Sequence, residues 1–281
     1  FIKGGAGVCL HFVSHSLGGL IVRAALPAVC DSVLGHREVS FGHVVTLNSP
    51  HLGIHTSSAV MIWKNWGKMV PNALARQIRQ LTLQDAATRE DARPRFLEQL
   101  ANPRSKYVLS LALFRHRTAV AATHWDVIVP FCTAAICGLN PFPSPSVQSA
   151  PYWRVEHVMG FHPDSKLALC KCRADDEDVS QNFNRSVSSI MVDSKAADYG
   201  TRESWRKKGW IKTSDQEVSF PGSMLKGLET GAPWRRVAYT MHRPPWFGGG
   251  DVHLFPIGKD RRLKVWSLEF IDTLISMFEE D

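Results

Sequence analysis

Three residues of this 281-residue chain have types and surroundings suited to acyl transfer: Ser16, Asp126 and His253. A serine hydroxyl is a weak nucleophile and needs a base, a fixed geometry and a stabilised oxyanion. Ser16 stands in "SHSLGG" (14–19), between the apolar runs "GVCLHFV" (7–13) and "LGGLIVRAAL" (17–26). Small-x-Ser-x-Gly at a strand-to-helix turn is the nucleophile-elbow spacing. Side chains two before and two after the nucleophile crowd each other there, so both must be small. Gly18 meets that demand, and Ser14 stands where glycine is usual. Gly19 lets the helix approach the sheet. The Leu17 amide, just after the nucleophile, is the first oxyanion donor expected at the helix N-terminus.

An acid after a later strand and a histidine after the last one complete the order Ser, Asp, His. Asp126, in "ATHWDVIVP", follows the strand pattern of 116–123; a turn-stabilising carboxylate would suit the same place. Histidines beyond it are His157, His162, His242 and His253. His253, in "GGGDVHLFPIG", follows a Gly-rich loop and precedes the final helix, where a loop would deliver an imidazole. His242, ending the preceding strand, is the alternative base. His15 is expected to point away from the Ser16 hydroxyl, and His11 to be structural.

The elements that must position these residues alternate. Strands are expected at 7–13, 39–48, 116–123 and 235–242. Helices are expected at 17–26, disturbed by Pro27, across 59–101, and at 267–278 with Leu268, Ile271, Leu274, Ile275 and Phe278 inward. Pro71 suits a helix's first turn. Such alternation predicts an α/β fold with a mainly parallel sheet and helices on both faces. The chain reads as a single domain, 1–281, with a loop-rich insertion over 140–234 that carries "DDED" at 175–178.

Hydrophobic residues make up 44% of the chain and aromatic residues 10%, enough for a sizeable core. No 18-residue apolar run predicts a membrane span. The net charge of +7 is dispersed, and no nucleic-acid motif accompanies it, so no nucleic-acid partner is expected. Cys9, Cys30, Cys132, Cys137, Cys170 and Cys172 form no CxxC pair. Free thiols in a reducing, cytoplasmic setting and no metal site are expected.

Together "HFVSHSLGGLIVRAAL", "VVTLNSPHLG", "LFRHRTAVAATHWDVIVP" and "DVHLFPIG" resemble the successive blocks of the putative serine esterase family, lipase-like α/β-hydrolases of plants, yeasts and animals. The likeness covers about 7–140 well and 235–278 loosely. It implies an α/β-hydrolase fold with Ser16 as nucleophile, Asp126 as acid and His253 as base. It implies ester hydrolysis, of lipid acyl esters or small esters, without a cofactor. Val252-His253-Leu254 departs from the family's Ala-His-Asn-like triplet. The family also places strands and a second oxyanion donor before the elbow, so a piece of a longer chain is expected, truncated at the N-terminus. Peripheral contact with membranes or lipid droplets would fit the basic charge. The alternative reading is an inactive hydrolase-fold module for interaction or lipid binding. "AVMIWKNWGKMVP" (59–71) is a candidate lid or acyl wall, or ordinary packing.

Overall fold

The computed structural model describes residues 7–36, 38–54, 72–83, 85, 94–138, 140–142, 153–160, 222–241, 251–259 and 262–278. His162, His242, Cys170, Cys172, Pro71, the 59–71 stretch, the acidic run at 175–178 and the Gly-rich run before Asp251 lie outside them.

Among the described residues five strands form one sheet in the order β1-β2-β3-β5-β4. They are β1 (Val8–His15), β2 (Val39–Leu47), β3 (His116–Ala122), β4 (Trp153–Met159) and β5 (Arg235–Met241). All pairs are parallel except β4 with β5, which is antiparallel. β2, β3 and β5 are buried along almost their whole length, because helices cover both faces of a central parallel strand. β1, at the edge, alternates between half-buried and exposed instead.

Alternate side chains feed two cores. Val44, Ala119, Ala121 and Ala238 face one, with α1 (Leu17–Val33), α3 (Phe96–Ala101), α4 (Lys106–Ala112) and α6 (Gly222–Gly231); α2 (Asn72–Leu81) reaches it through Leu81. Val45, Leu47, Val120, Val237 and Tyr239 face the other, with the single turn α7 (Asp251–Leu254) and α8 (Lys264–Ile275). A short α5 (Phe131–Ala134) follows the Asp126 loop.

Several expectations need correction. α1 runs through Pro27 to Val33, held against the sheet side by buried Leu20, Leu26 and Cys30. The 59–101 helix is interrupted. α2 ends at Leu81, whose carbonyl accepts from the Ile54 amide, and Leu83 follows at φ 53°. The 140–234 segment is not wholly an insertion: β4 and α6 lie inside it, and β4 closes the sheet on β5. α8 follows its leucine pattern only in part. Phe270 and Leu274 are buried while Leu268 is 48% and Ile275 47% exposed. The aromatic ring sets the phase. Phe270 packs 4.7 Å from Tyr239, 5.2 Å from Trp153 and 5.3 Å from Phe255, ring centre to ring centre.

Buried Arg236 ties the layers together. Its guanidinium donates to the carbonyls of Ala135 (2.8 Å), Trp234 (2.9 Å) and Ile136 (3.0 Å), and pairs with the Glu229 carboxylate of α6. Burial holds the Glu229 carboxyl above its usual range, and Arg236 partly offsets that.

Candidate active site

Ser16 occupies the turn between β1 and α1 with φ 54° and ψ −130°. A non-glycine residue in that region is strained and is held there by its surroundings. Its amide donates to the Leu47 carbonyl at 2.9 Å, and its carbonyl accepts from Gly19 at 3.1 Å. The crowding that the spacing predicts is found at Gly19 and not at Gly18. A Cβ on Gly18 would meet the Ser14 Cβ at 3.7 Å, ordinary contact. Ser14 is accommodated where glycine is usual, and its hydroxyl donates to the Val45 carbonyl at 3.3 Å. A Cβ on Gly19 would lie 2.3 Å from Ser49 Oγ and 2.7 Å from Ser49 Cβ, so only glycine lets α1 sit this close to the end of β2.

Asp126 lies in the loop after β3, preceded by Trp125 at φ 67°. Its Oδ1 accepts from the amides of Ile128 (2.9 Å) and Val129 (2.8 Å). The turn-stabilising role and the approach to a histidine therefore coexist, one on each carboxylate oxygen. Oδ2 accepts from His253 Nδ1 at 2.8 Å, and His253 Nε2 lies 2.8 Å from Ser16 Oγ. The Asp126 and His253 side chains are only 2% and 4% exposed, so the pair operates away from bulk water. With the proton on Nδ1 facing the carboxylate, Nε2 is free to accept the Ser16 proton.

Of the predicted residues, the structure thus brings together Ser16, Asp126 and His253. Leu17 opens α1, where a first-turn amide has no acceptor within the helix. His157 is buried in β4, at the far edge of the sheet. His11 stacks on His43, ring centres 5.3 Å apart.

Two neighbours carried little sequence signal. His15 does not face the Ser16 hydroxyl; its ring packs on His253. Asn48, at φ 46°, bonds the Tyr239 hydroxyl through Nδ2 (2.9 Å) and accepts from the Ala122 amide (3.0 Å), lacing together the ends of β2, β3 and β5. Asparagine tolerates the left-handed region better than most residues, which is the one clue at the end of "VVTLN".

Behind the serine, the "SPHLG" block is structural. Buried Arg23 of α1 donates to His51 Nδ1 (3.1 Å) and to the Leu100 carbonyl (2.8 Å). His51 Nε2 then carries the proton, 2.9 Å from Thr46 Oγ1. Burial, and then Arg23 and Arg236, hold His51 well below the usual imidazole value of 6.5. Burial alone lowers Arg23 to about 9. For His51 the unfolded chain takes up a proton that the folded protein refuses. The unfolded state then binds more protons, so stability falls as pH drops below about 6.5, by up to about 1.4 kcal/mol per pH unit. Urea midpoints between pH 6.5 and 5 are expected to slope less steeply in His51→Gln than in the parent. Equal slopes would exclude His51 as the responsible group.

A mainly parallel sheet with a positive-φ serine at a strand-to-helix turn, and helices on both faces, makes this protein an α/β-hydrolase in fold. Residues 6–139 match the family described as "Putative serine esterase (DUF676)". The match spans β1 to β3 with Ser16 and Asp126, while His253 lies beyond it. No curated protein and no solved structure matches the chain at a significant level.

Proposed function

We propose that this protein is a serine esterase that cleaves carboxylic esters with apolar acyl groups through a Ser16–His253–Asp126 triad. The observation that carries the reading is the unbroken hydrogen-bond chain from Asp126 Oδ2 through His253 to Ser16 Oγ, 2.8 Å at each step. Its members come from three distant parts of the sequence.

In the first half-reaction His253 Nε2 takes the Ser16 proton as Oγ adds to the ester carbonyl. The Leu17 amide donates to the oxyanion that forms. Asp126 stabilises the imidazolium and keeps Nδ1 protonated. The tetrahedral adduct collapses, the alcohol leaves with the proton from His253, and an acyl-serine remains. Water, deprotonated by His253, adds to the acyl carbonyl. Collapse returns Oγ to Ser16 with the proton and releases the carboxylic acid.

A groove supports an apolar acyl group. It runs between α1, at Leu17 and Leu20, α2, at Gln77 and Leu81, and α3, at Phe96 and Leu97; Leu17 follows the nucleophile in the chain, though Ser16 itself does not line the groove. Its volume is about 110 Å³. The net charge of +7 would favour docking on anionic lipid. Among the described residues no helix is long and apolar enough to cross a membrane.

The test is release of nitrophenol from p-nitrophenyl butyrate, with a fluorophosphonate probe to mark the nucleophile. Turnover with the probe on Ser16 is expected. Folded protein that neither turns over the ester nor takes the probe would leave the lipid-binding module as the better reading.

A further inference from the structure

We infer that His15 is a positioning residue for His253: its neutral imidazole donates to the His253 backbone carbonyl and braces the ring that faces Ser16. The predicted effect on turnover rests on the esterase reading, while the brace itself rests on geometry alone. His15 is the last residue of β1, and its Nε2 lies 2.6 Å from the His253 carbonyl oxygen. A carbonyl only accepts, so Nε2 holds the proton and Nδ1 is bare in the neutral ring. The two imidazoles lie 4.7 Å apart, centre to centre, tilted by 51°.

The local chain explains why a brace is needed. α7 is a single turn, and the last carbonyls of a helix lack partners within it. Pro256, just beyond, brings no amide to offer them. Side chains rooted at the strand ends step in. Asn48 Nδ2 reaches the Val252 carbonyl at 3.5 Å, and His15 reaches the next carbonyl along. The base is thereby tied to the same strand ends that present Ser16. Rigid elements, rather than the loop, set the height of the ring.

The brace also has a pH signature. Burial is the main factor lowering the tendency of His15 to take a proton; the bond to the His253 carbonyl opposes this. Of the charged groups facing it, His253 and Lys259 disfavour protonation and Asp126 favours it. In acid a protonated His15 still donates, but it sets a positive charge against the ring that must become imidazolium in the transition state.

The experiment compares the full chain with His15→Ala and His15→Gln on p-nitrophenyl butyrate across pH. His15→Ala is expected to lose about 10- to 100-fold in kcat with KM within about threefold of the parent. His15→Gln, whose amide can donate to the same carbonyl, is expected to recover most of that loss at pH 8. Equal loss in both variants would make His15 mere packing and overturn the proposal. A second arm needs no turnover. With the His253 carbonyl labelled with carbon-13, its resonance should move in His15→Ala and stay near the parent's position in His15→Gln. Nitrogen-15 spectra should place the His15 proton on Nε2. An unmoved carbonyl, or a proton on Nδ1, removes the brace whatever the turnover. A parent that does not turn over ester yet shows the carbonyl shift would count against the esterase reading and leave the brace standing.

Discussion

Asp126→Asn is expected to lower kcat on p-nitrophenyl butyrate by about 10⁴ while leaving the fold intact. The asparagine carbonyl can replace Oδ1 and keep the amide bonds of Ile128 and Val129, so the turn survives. Its amide would then face His253 Nδ1 as a donor where a carboxylate had accepted. That pairing drives the imidazole proton to Nε2, against Ser16 Oγ, and the base can no longer accept. Ser16→Ala, which removes the nucleophile itself, is expected to cost about 10⁶ in kcat. Thermal midpoints close to the parent's would separate loss of chemistry from loss of fold. An Asp126→Asn variant within tenfold of the parent would show that the carboxylate does not set the tautomer.

The largest effect on stability is expected at Arg236. Arg236→Met leaves the buried Glu229 carboxylate unpaired and strips the donor from the carbonyls of Ala135, Trp234 and Ile136. Breaking one side of such a pair costs about 3–5 kcal/mol. The sign with pH follows from Glu229, whose carboxyl is already held above its usual range by burial. A raised folded value means stability that is present in acid and lost as pH rises through it, so the penalty of Arg236→Met should shrink in acid. Replacing both partners, Arg236→Met with Glu229→Met, should restore much of the loss, because no buried charge is left behind. Urea denaturation of the three variants at two pH values measures all of this. A double variant no better than Arg236→Met would mean that the carbonyl bonds, and not the charge, dominate.

The parallel strands were legible in the sequence because their β-branched runs are buried on both faces and bounded by turns, as at 39–48 and 116–123. The serine was legible because small residues at 14, 18 and 19 mark the elbow, and the close approach of Ser49 enforces the one at 19. The Asp126 and His253 segments could be placed from chain order alone, since each follows a strand. Less was legible where packing overrides local pattern. The inward face of α8 was read only in part: Leu274 is buried as its pattern predicts, while the aromatic cluster around Phe270 turns Leu268 and Ile275 outward. β4 went unread because an edge strand inside a Pro- and charge-rich stretch has no long apolar run to mark it. His15 and Asn48 could not be assigned roles, since their partners lie 238 and 204 residues away. Arg23, a fully buried cation within an apolar helix, gave no warning at all.

Strand order has a consequence for how the protein comes into being. Among the described strands β4 pairs only with β5, and β5 is made some 75 residues later and inserts between β4 and β3. During synthesis β1, β2 and β3 can register in turn, while β4 must wait with its hydrogen-bonding edge unmatched. Long-range pairing of this kind is slow and leaves strand edges open to wrong partners. The imidazole arrives later still, 237 residues after the serine it meets. A ribosome-bound or C-terminally cut chain would carry the strained serine but remain chemically silent. On the esterase reading, hydrolysis would begin only once His253 has been made and seated, so its onset would report that the β1 and α7 ends have met.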